Sequence, residues 1–120
     1  MRYMVTYNDP SGIPVAFVAF LKTEEEDHRG RPRDVIYCYE LQVAEGYRGR
    51  GIGATLLSRL ERVCIDTSTP LVMLTCFNAN KGALLFYRQH GFSIDEISPS
   101  KYGSTAKAEV EYEILSKRVY

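Results

Sequence analysis

"VAEGYRGRGIGATLL", residues 43–57, sets four glycines and two arginines between a strand-like run and a helix-like run. A strand that passes through glycines into a helix brings several unpaired backbone N–H groups to the positive end of the helix dipole. Glycine suits such a place because a Cβ would hold an oxyanion off the backbone and limit the φ values that aim successive N–H groups at one point. Arg48 and Arg50 add charge at the rim. The pattern predicts a phosphate site; a flexible linker or a basic surface turn is the plainer alternative.

Working outward, the flanks support the first reading. Ile52, Leu56, Leu57, Leu60, Val63 and Cys64 recur at helical spacing, one face of an amphipathic helix that opens at the glycines and ends at "TSTP". Before the glycines, "VIYCYELQV" (35–43) is a strand; after the helix comes "LVMLTCF" (71–77), short and continuously apolar. "NANKGALLFYRQHG" then predicts a second helix with Asn80 as N-cap and Gly91 as stop. "RYMVTY" (2–7) and "IPVAFVAFL" (13–21) form a hairpin around "NDPSG", "KTEEEDHRGRPRD" (22–34) reads as a polar loop, and "FSIDEI" (92–97) and "VEYEILSKRV" (110–119) are the last strands. The order β-β-β-α-β-α-β-β implies one domain over 1–120 of the α+β class, a mixed α/β sandwich with one parallel step in a mostly antiparallel sheet flanked by helices.

Composition excludes several classes. At 120 residues and 45% hydrophobic the chain fits a single domain. Formal net charge is zero, so neither general nucleic-acid binding nor membrane binding is indicated. Cys38, Cys64 and Cys76 sit in apolar runs without Cys-x-x-Cys spacing and read as buried, reduced thiols of an intracellular protein, cytoplasmic and nuclear. His28 and His90 have no metal constellation around them, so no metal is expected.

Gly49-Arg50-Gly51-Ile52-Gly53-Ala54 also satisfies the dinucleotide pattern G-x-G-x-x-A. That fold wants an acidic residue about 20 positions on, at the end of the next strand, whereas "LVMLTCF" ends in Thr, Cys and Phe. No Lys-Ser or Lys-Thr follows the glycines, so the Walker pattern fails as well.

Arg48-Gly49-Arg50-Gly51-Ile52-Gly53 resembles the Arg/Gln-x-x-Gly-x-Gly/Ala signature of the GCN5-related N-acetyltransferases, the GNAT superfamily, whose loop cradles the pyrophosphate of acetyl-CoA. "NANKGALLFYRQHGF" resembles the superfamily's Asn-x-x-Ala, Tyr and Gly-Phe segment, in the right order. "YCYELQV" (37–43), "VMLTCFNANKGA" (72–83), "FSIDEISPS" (92–100) and "YEILSKR" (112–118) are in turn similar to the N-alpha-acetyltransferase D family, which acetylates the N-terminal α-amine of histones beginning Ser-Gly-Arg-Gly. The resemblance implies acetyl-CoA as cosubstrate and a histone tail as substrate. It also implies helices ahead of the first strand, which this sequence lacks, and "KYGSTAKAEVEY" (101–112) stands where those relatives carry a cysteine-rich loop.

An α-amine has a pKa near 7.7 to 8, against about 10.4 for lysine, so a modest base suffices to make it nucleophilic. Glu40, a carboxylate among Val, Ile, Tyr, Cys and Leu, is the candidate, with burial expected to raise its pKa; a Glu paired with an arginine is the alternative. The resemblance makes Glu40 the catalytic base and has Tyr39 bind or deprotonate the amine. Strict alternation would put Tyr39 and Glu40 on opposite faces, so a bulge is expected between 39 and 43, freeing the amides of Leu41, Gln42 and Val43 for the thioester carbonyl and pantetheine. Asn80 is a helix cap, a contact to the CoA arm, or both. Tyr87 is either the proton donor to the leaving thiolate, as in many superfamily members, or core packing. Tyr37, Thr75 and Tyr112 match substrate contacts, with sheet packing as the alternative. Glu24–Asp27 is the one acidic run; it is a solvated loop or a lip that grips a basic tail, Glu25 matching an acidic substrate contact. An acetyltransferase for another protein N terminus or a small amine, and a non-catalytic acetyl-CoA-binding module, are the rival functions.

Overall fold

The computed structural model describes residues 1–101 and 110–120. Six strands, β1 (Arg2–Asn8), β2 (Ile13–Glu26), β3 (Pro32–Val43), β4 (Leu71–Phe77), β5 (Ser93–Ile94) and β6 (Tyr112–Arg118), form one sheet in the order β1-β2-β3-β4-β6-β5. The β3–β4 pair is parallel and the other four neighbouring pairs are antiparallel. A parallel step needs a crossover, and α1 (Ile52–Asp66) supplies it. A second helix, α2 (Lys81–Gln89), follows β4. This is the expected α+β architecture. None of the described helices is long and apolar enough to cross a membrane.

Alternation along the strands decides where the core lies. Val18 and Phe20 of β2, Ile36 and Cys38 of β3, and Val72, Leu74 and Cys76 of β4 point to one face and pack with Leu56, Leu57, Leu60 and Cys64 of α1 and Tyr87 of α2. Both helices therefore cover the same face. They touch each other where α1 begins: a Cβ at Gly53 would stand 3.1 Å from Phe86 Cζ. The opposite face, called the open face below, carries Tyr37, Tyr39, Thr75, Phe77 and Tyr112, of which Tyr39 and Phe77 are more than half exposed.

Two expectations need correction. The stretch 22–34 is mostly strand: β2 runs on to Glu26 and β3 starts at Pro32, leaving only a turn between. Polar composition does not exclude strand in a hairpin arm that is solvated on both sides. Asp27 closes the turn, its carboxylate accepting from the amides of Arg29 (2.8 Å) and Arg31 (2.9 Å), with Gly30 at φ 79°. The second correction is the strand over 92–97, which is only Ser93–Ile94. Asp95 ends it, because its carboxylate accepts from the amide of Ile97 (3.1 Å) and turns the chain away. Of the 101–112 stretch, residues 102–109 lie outside the described residues.

Leu60 is fully buried at the centre of the α1 face. Leu60→Ala is expected to lower unfolding stability by about 2–5 kcal/mol, measured as a lower urea midpoint with an unchanged slope.

Candidate active site

The site is organised by one surplus residue in β3. Ala19 of β2 stands opposite Glu40, but Phe20 stands opposite Cys38, so Tyr39 has no register partner. This is a β-bulge, at the near end of the range expected for it. Before it, Ile36 and Cys38 face the helices; after it, Leu41 and Val43 do. The core-facing set thus passes from even to odd numbers, and Tyr39 and Glu40 both project from the open face, both exposed. Glu40 is therefore not buried as the apolar neighbours suggested, because the bulge turns it out of the core.

The same place is where the sheet divides. Pairing of β3 with β4 ends at Cys38–Leu74, while pairing of β3 with β2 continues to Val43. One edge of Tyr39–Val43 consequently carries no ladder. Arg48 Nε donates to the Val43 carbonyl at 3.0 Å, and Ala44 N donates to Val15 O at 2.8 Å. These two bonds set the alternation: backbone groups of Leu41 and Val43 face the open edge, and those of Gln42 face β2.

The glycine loop leads from this edge into α1. Gly49 (φ 77°) and Gly51 (φ 80°) are left-handed, and a Cβ at either would meet nothing within 4 Å. Gly51 is the N-cap, with no side-chain cap bond and no acidic residue in the first turn. Thr55 N makes the first return bond, to Gly51 O (3.0 Å), which leaves the amides of Ile52, Gly53 and Ala54 without helical partners. Arg50 lies over the Tyr47 ring at 5.0 Å, and the Tyr47 hydroxyl accepts from Asn8 Nδ2 at 2.9 Å. A groove of about 440 Å³ between this helix end and β1 is lined by Thr6, Arg50, Thr55 and Arg59 and by the apolar Met4, Val5, Ile52 and Leu56, with Gly51. Unpaired amides at the positive end of a helix, with Arg50 as the residue before the cap, are the elements from which an anion site is built.

On the open face, the Tyr37 and Tyr39 rings lie tilted by 40° with centroids 4.9 Å apart, and the Tyr37 hydroxyl is 2.5 Å from Thr75 Oγ1. Burial pushes the Tyr37 phenol up, the Thr75 bond opposes this, and the negative charge of nearby Glu25 adds to the rise. Tyr112 lies opposite Phe77 at the far end of β4. Glu25, Tyr37, Tyr39, Glu40, Thr75 and Tyr112 therefore share one face. Asn80 caps α2, its side chain accepting from Ala83 N at 3.1 Å. Tyr87 is on the other side of the sheet, buried near Cys38 and Cys76 where β3 and β4 part. Burial raises its phenol pKa far above the usual range, so it stays protonated at neutral pH.

Sequence reasoning passed over the polar groups around Asp95 and Glu113 at the β6 side of the sheet. Arg33 donates to both oxygens of buried Asp95 (3.1 and 3.0 Å), Ser116 Oγ donates to Asp95 (2.6 Å), and Ser98 and Ser100 both donate to Glu113. Burial alone would raise the Asp95 carboxyl, but the bonds from Arg33, Ser116 and the Ile97 amide hold it below its ordinary value. Phe77 was missed too, although its place two residues beyond Thr75 on a strand was a usable signal.

Comparison with known proteins bears on the family and the fold. The model of the acetyltransferase (GNAT) family matches residues 1–92. The uncharacterized N-acetyltransferase MJ1207 of Methanocaldococcus jannaschii is 32% identical over 91 residues, 72% of this chain and 38% of that protein. Arabidopsis thaliana Naa50 in complex with the bisubstrate analogue CoA-Ac-MVNAL superposes with TM-score 0.64 at 26% identity, covering 88% of this chain and 66% of that one. Chaetomium thermophilum Naa20 in complex with a bisubstrate analogue gives TM-score 0.75 at 18% identity, covering 97% and 65%.

The thiols yield a pH prediction. Burial pushes Cys38 up to about 12, and burial with the charge of Glu61 pushes Cys64 up to about 11, from an ordinary 9.0. The folded state then holds more protons than the unfolded state between those values, so the thiols stabilise the fold below about pH 9 and lose that contribution as pH rises toward the folded values. The urea midpoint should fall between about pH 8 and pH 10.5, and fall less in a Cys38→Ala, Cys64→Ala variant.

Proposed function

The chain belongs to the acetyltransferase (GNAT) family, and on that premise we propose that it transfers the acetyl group of acetyl-CoA to the N-terminal α-amine of histones beginning Ser-Gly-Arg-Gly. The observation that carries this reading is the bulge at Tyr39, which sets Tyr39 and Glu40 side by side on the open face at the point where β3 and β4 part.

Acetyl-CoA supplies an acyl carbon activated as a thioester. The loop 46–51 and the first turn of α1 fit its pyrophosphate, since the space a Cβ would fill at Gly49 and Gly51 is open and the first amides are unpaired. Arg48 and Arg50 balance the charge, and Asn80, which caps α2, contacts the CoA arm. The edge amides of Leu41 and Val43 serve the acyl oxygen; Gln42, whose backbone turns to β2, is left with its side chain. The substrate amine approaches from the open face. Glu40 accepts its proton directly or through water, and the amine's own pKa of about 7.7 to 8 keeps the demand on that base small. As the C–N bond forms and the C–S bond breaks, Tyr87, held protonated by burial, returns a proton to the sulfur from the opposite side of the sheet. Tyr37, Thr75 and Tyr112 contact the first residues of the tail, and Glu25 on the hairpin arm takes its arginine.

The deciding experiment is acetyl transfer to a peptide Ser-Gly-Arg-Gly-Lys, with tandem mass spectrometry to locate the acetyl group. Modification is expected on the α-amine. Glu40→Gln should lower kcat by about a hundredfold or more and Tyr87→Phe by about tenfold to a hundredfold. Reversing Glu24, Glu25 and Glu26 to lysine should raise the peptide KM with little change in kcat. Transfer to Met-Val-Asn-Ala-Leu in preference to the basic peptide would replace the histone reading with that of an N-terminal acetyltransferase for apolar termini. Transfer to neither would overturn the N-terminal assignment.

A further inference from the structure

Arg33 and Glu25 are directly opposite each other in the β2–β3 register and share the open face. Opposite charges so placed across an antiparallel pair ordinarily join. Here they do not. The Arg33 guanidinium turns away to Asp95, with one nitrogen on each carboxylate oxygen at 3.1 and 3.0 Å, and it also donates to the carbonyl of Glu26 at 3.2 Å. Among the described residues the Glu25 carboxylate has no ion-pair partner, although it is close enough to Tyr37 to act on its phenol.

Asp95 is well equipped to hold the arginine. It is buried, with its side chain 4% exposed, and its oxygens also receive Ser116 Oγ and Ile97 N. Ser116 belongs to β6 and Arg33 to β3, so Asp95 reaches over β4 to join strands on either side of it. The next residue, Glu96, accepts from the His28 amide at 3.1 Å and pairs with its ring at 2.9 Å, which fixes the tip of the same hairpin. A bidentate, buried pair outcompetes a half-exposed single contact, so the arginine stays with Asp95.

We infer that Asp95 is a specificity-determining residue: by sequestering Arg33 it leaves the Glu25 carboxylate open to a cationic side chain near the N terminus of the acceptor peptide. This rests on the reading of the open face as the peptide site. Asp95 touches no reacting atom and acts through Arg33, so it is a positioning residue. Arg33 also lies in the field of Glu96 and Asp27, but Glu96 is paired with His28 and Asp27 with Arg31. Loss of the Asp95 charge would therefore release Arg33 to the unpaired Glu25 carboxylate across the strand pair, and the protein's own arginine would then occupy the place intended for the substrate's.

The test compares the wild type, Asp95→Asn and the Arg33→Met, Asp95→Asn double variant on two peptides, Ser-Gly-Arg-Gly-Lys and Ser-Gly-Ala-Gly-Lys. For Asp95→Asn the KM of the arginine peptide should rise about tenfold with kcat unchanged, while that of the alanine peptide stays within about twofold. The double variant should restore the arginine-peptide KM to near the wild-type value, since no arginine remains to compete. Equal increases for both peptides, or no recovery in the double variant, would mean that Asp95 only supports the fold and would overturn the inference. If Asp95→Asn does not fold, Asp95→Ser, whose hydroxyl can still accept from Ile97 N, takes its place.

A crystal structure of the single variant answers the structural half without any substrate. Arg33 within 4 Å of Glu25 supports the inference, and Arg33 elsewhere overturns it. A wild type that acetylates neither peptide while the variant structure shows the Arg33–Glu25 pair would discard the peptide-site reading and keep the switch.

Discussion

One residue more in β3 than its neighbour can pair with is the constraint from which the active-site geometry follows. Without the bulge at Tyr39, Glu40 would continue the core-facing set of Ile36 and Cys38, and a carboxylate would be driven under α1 and α2 at a cost no partner there offsets. With it, Leu41 and Val43 return to the core and Tyr39 and Glu40 stand together outside. The ladder with β4 ends at the same place, at Cys38–Leu74, which leaves one edge of Tyr39–Val43 unpaired among the described residues. A local fault in pairing thus accomplishes two things that a regular strand cannot: it changes the side of the sheet a side chain faces and it releases backbone groups along one edge.

The sheet then acts as a partition. Its helix face gathers the glycine loop, the capped start of α2 and the buried phenol of Tyr87. Its open face gathers Tyr37, Tyr39, Glu40, Thr75 and the hairpin arm with Glu25. Among the described residues, β3 and β4 part beyond Cys38–Leu74, between the two faces. Chemistry that must hold a large anionic donor and a cationic acceptor apart, yet let two atoms meet, is served by such a layout, because the opposite charges are anchored on opposite sides of a low-dielectric layer.

Much of this was legible in the residues. The spacing of Leu56, Leu57, Leu60 and Cys64 defines the buried face of α1, and the glycines of 46–53 define its open N-terminus. The need for a bulge follows from asking how two adjacent strand residues can serve one site. What was not legible has a common physical cause. Strand in 22–34 is stabilised by backbone pairing between two polar segments, which leaves no hydrophobic period to detect. The exposure of Glu40 depends on a parity change that composition cannot reveal. The bond between Arg33 and Asp95 joins residues 62 positions apart; separation along the chain hides it.

The contact between the two helices has a mechanical consequence. Gly53 lies in the first turn of α1 with its Cα against the Phe86 ring, and Phe86 in turn packs edge-on against Tyr87 at 5.3 Å and against His90 at 4.4 Å. Interiors this closely packed transmit displacement instead of absorbing it. The amides of the first turn and the ring beside the Tyr87 phenol are thus joined through a residue that has no side chain.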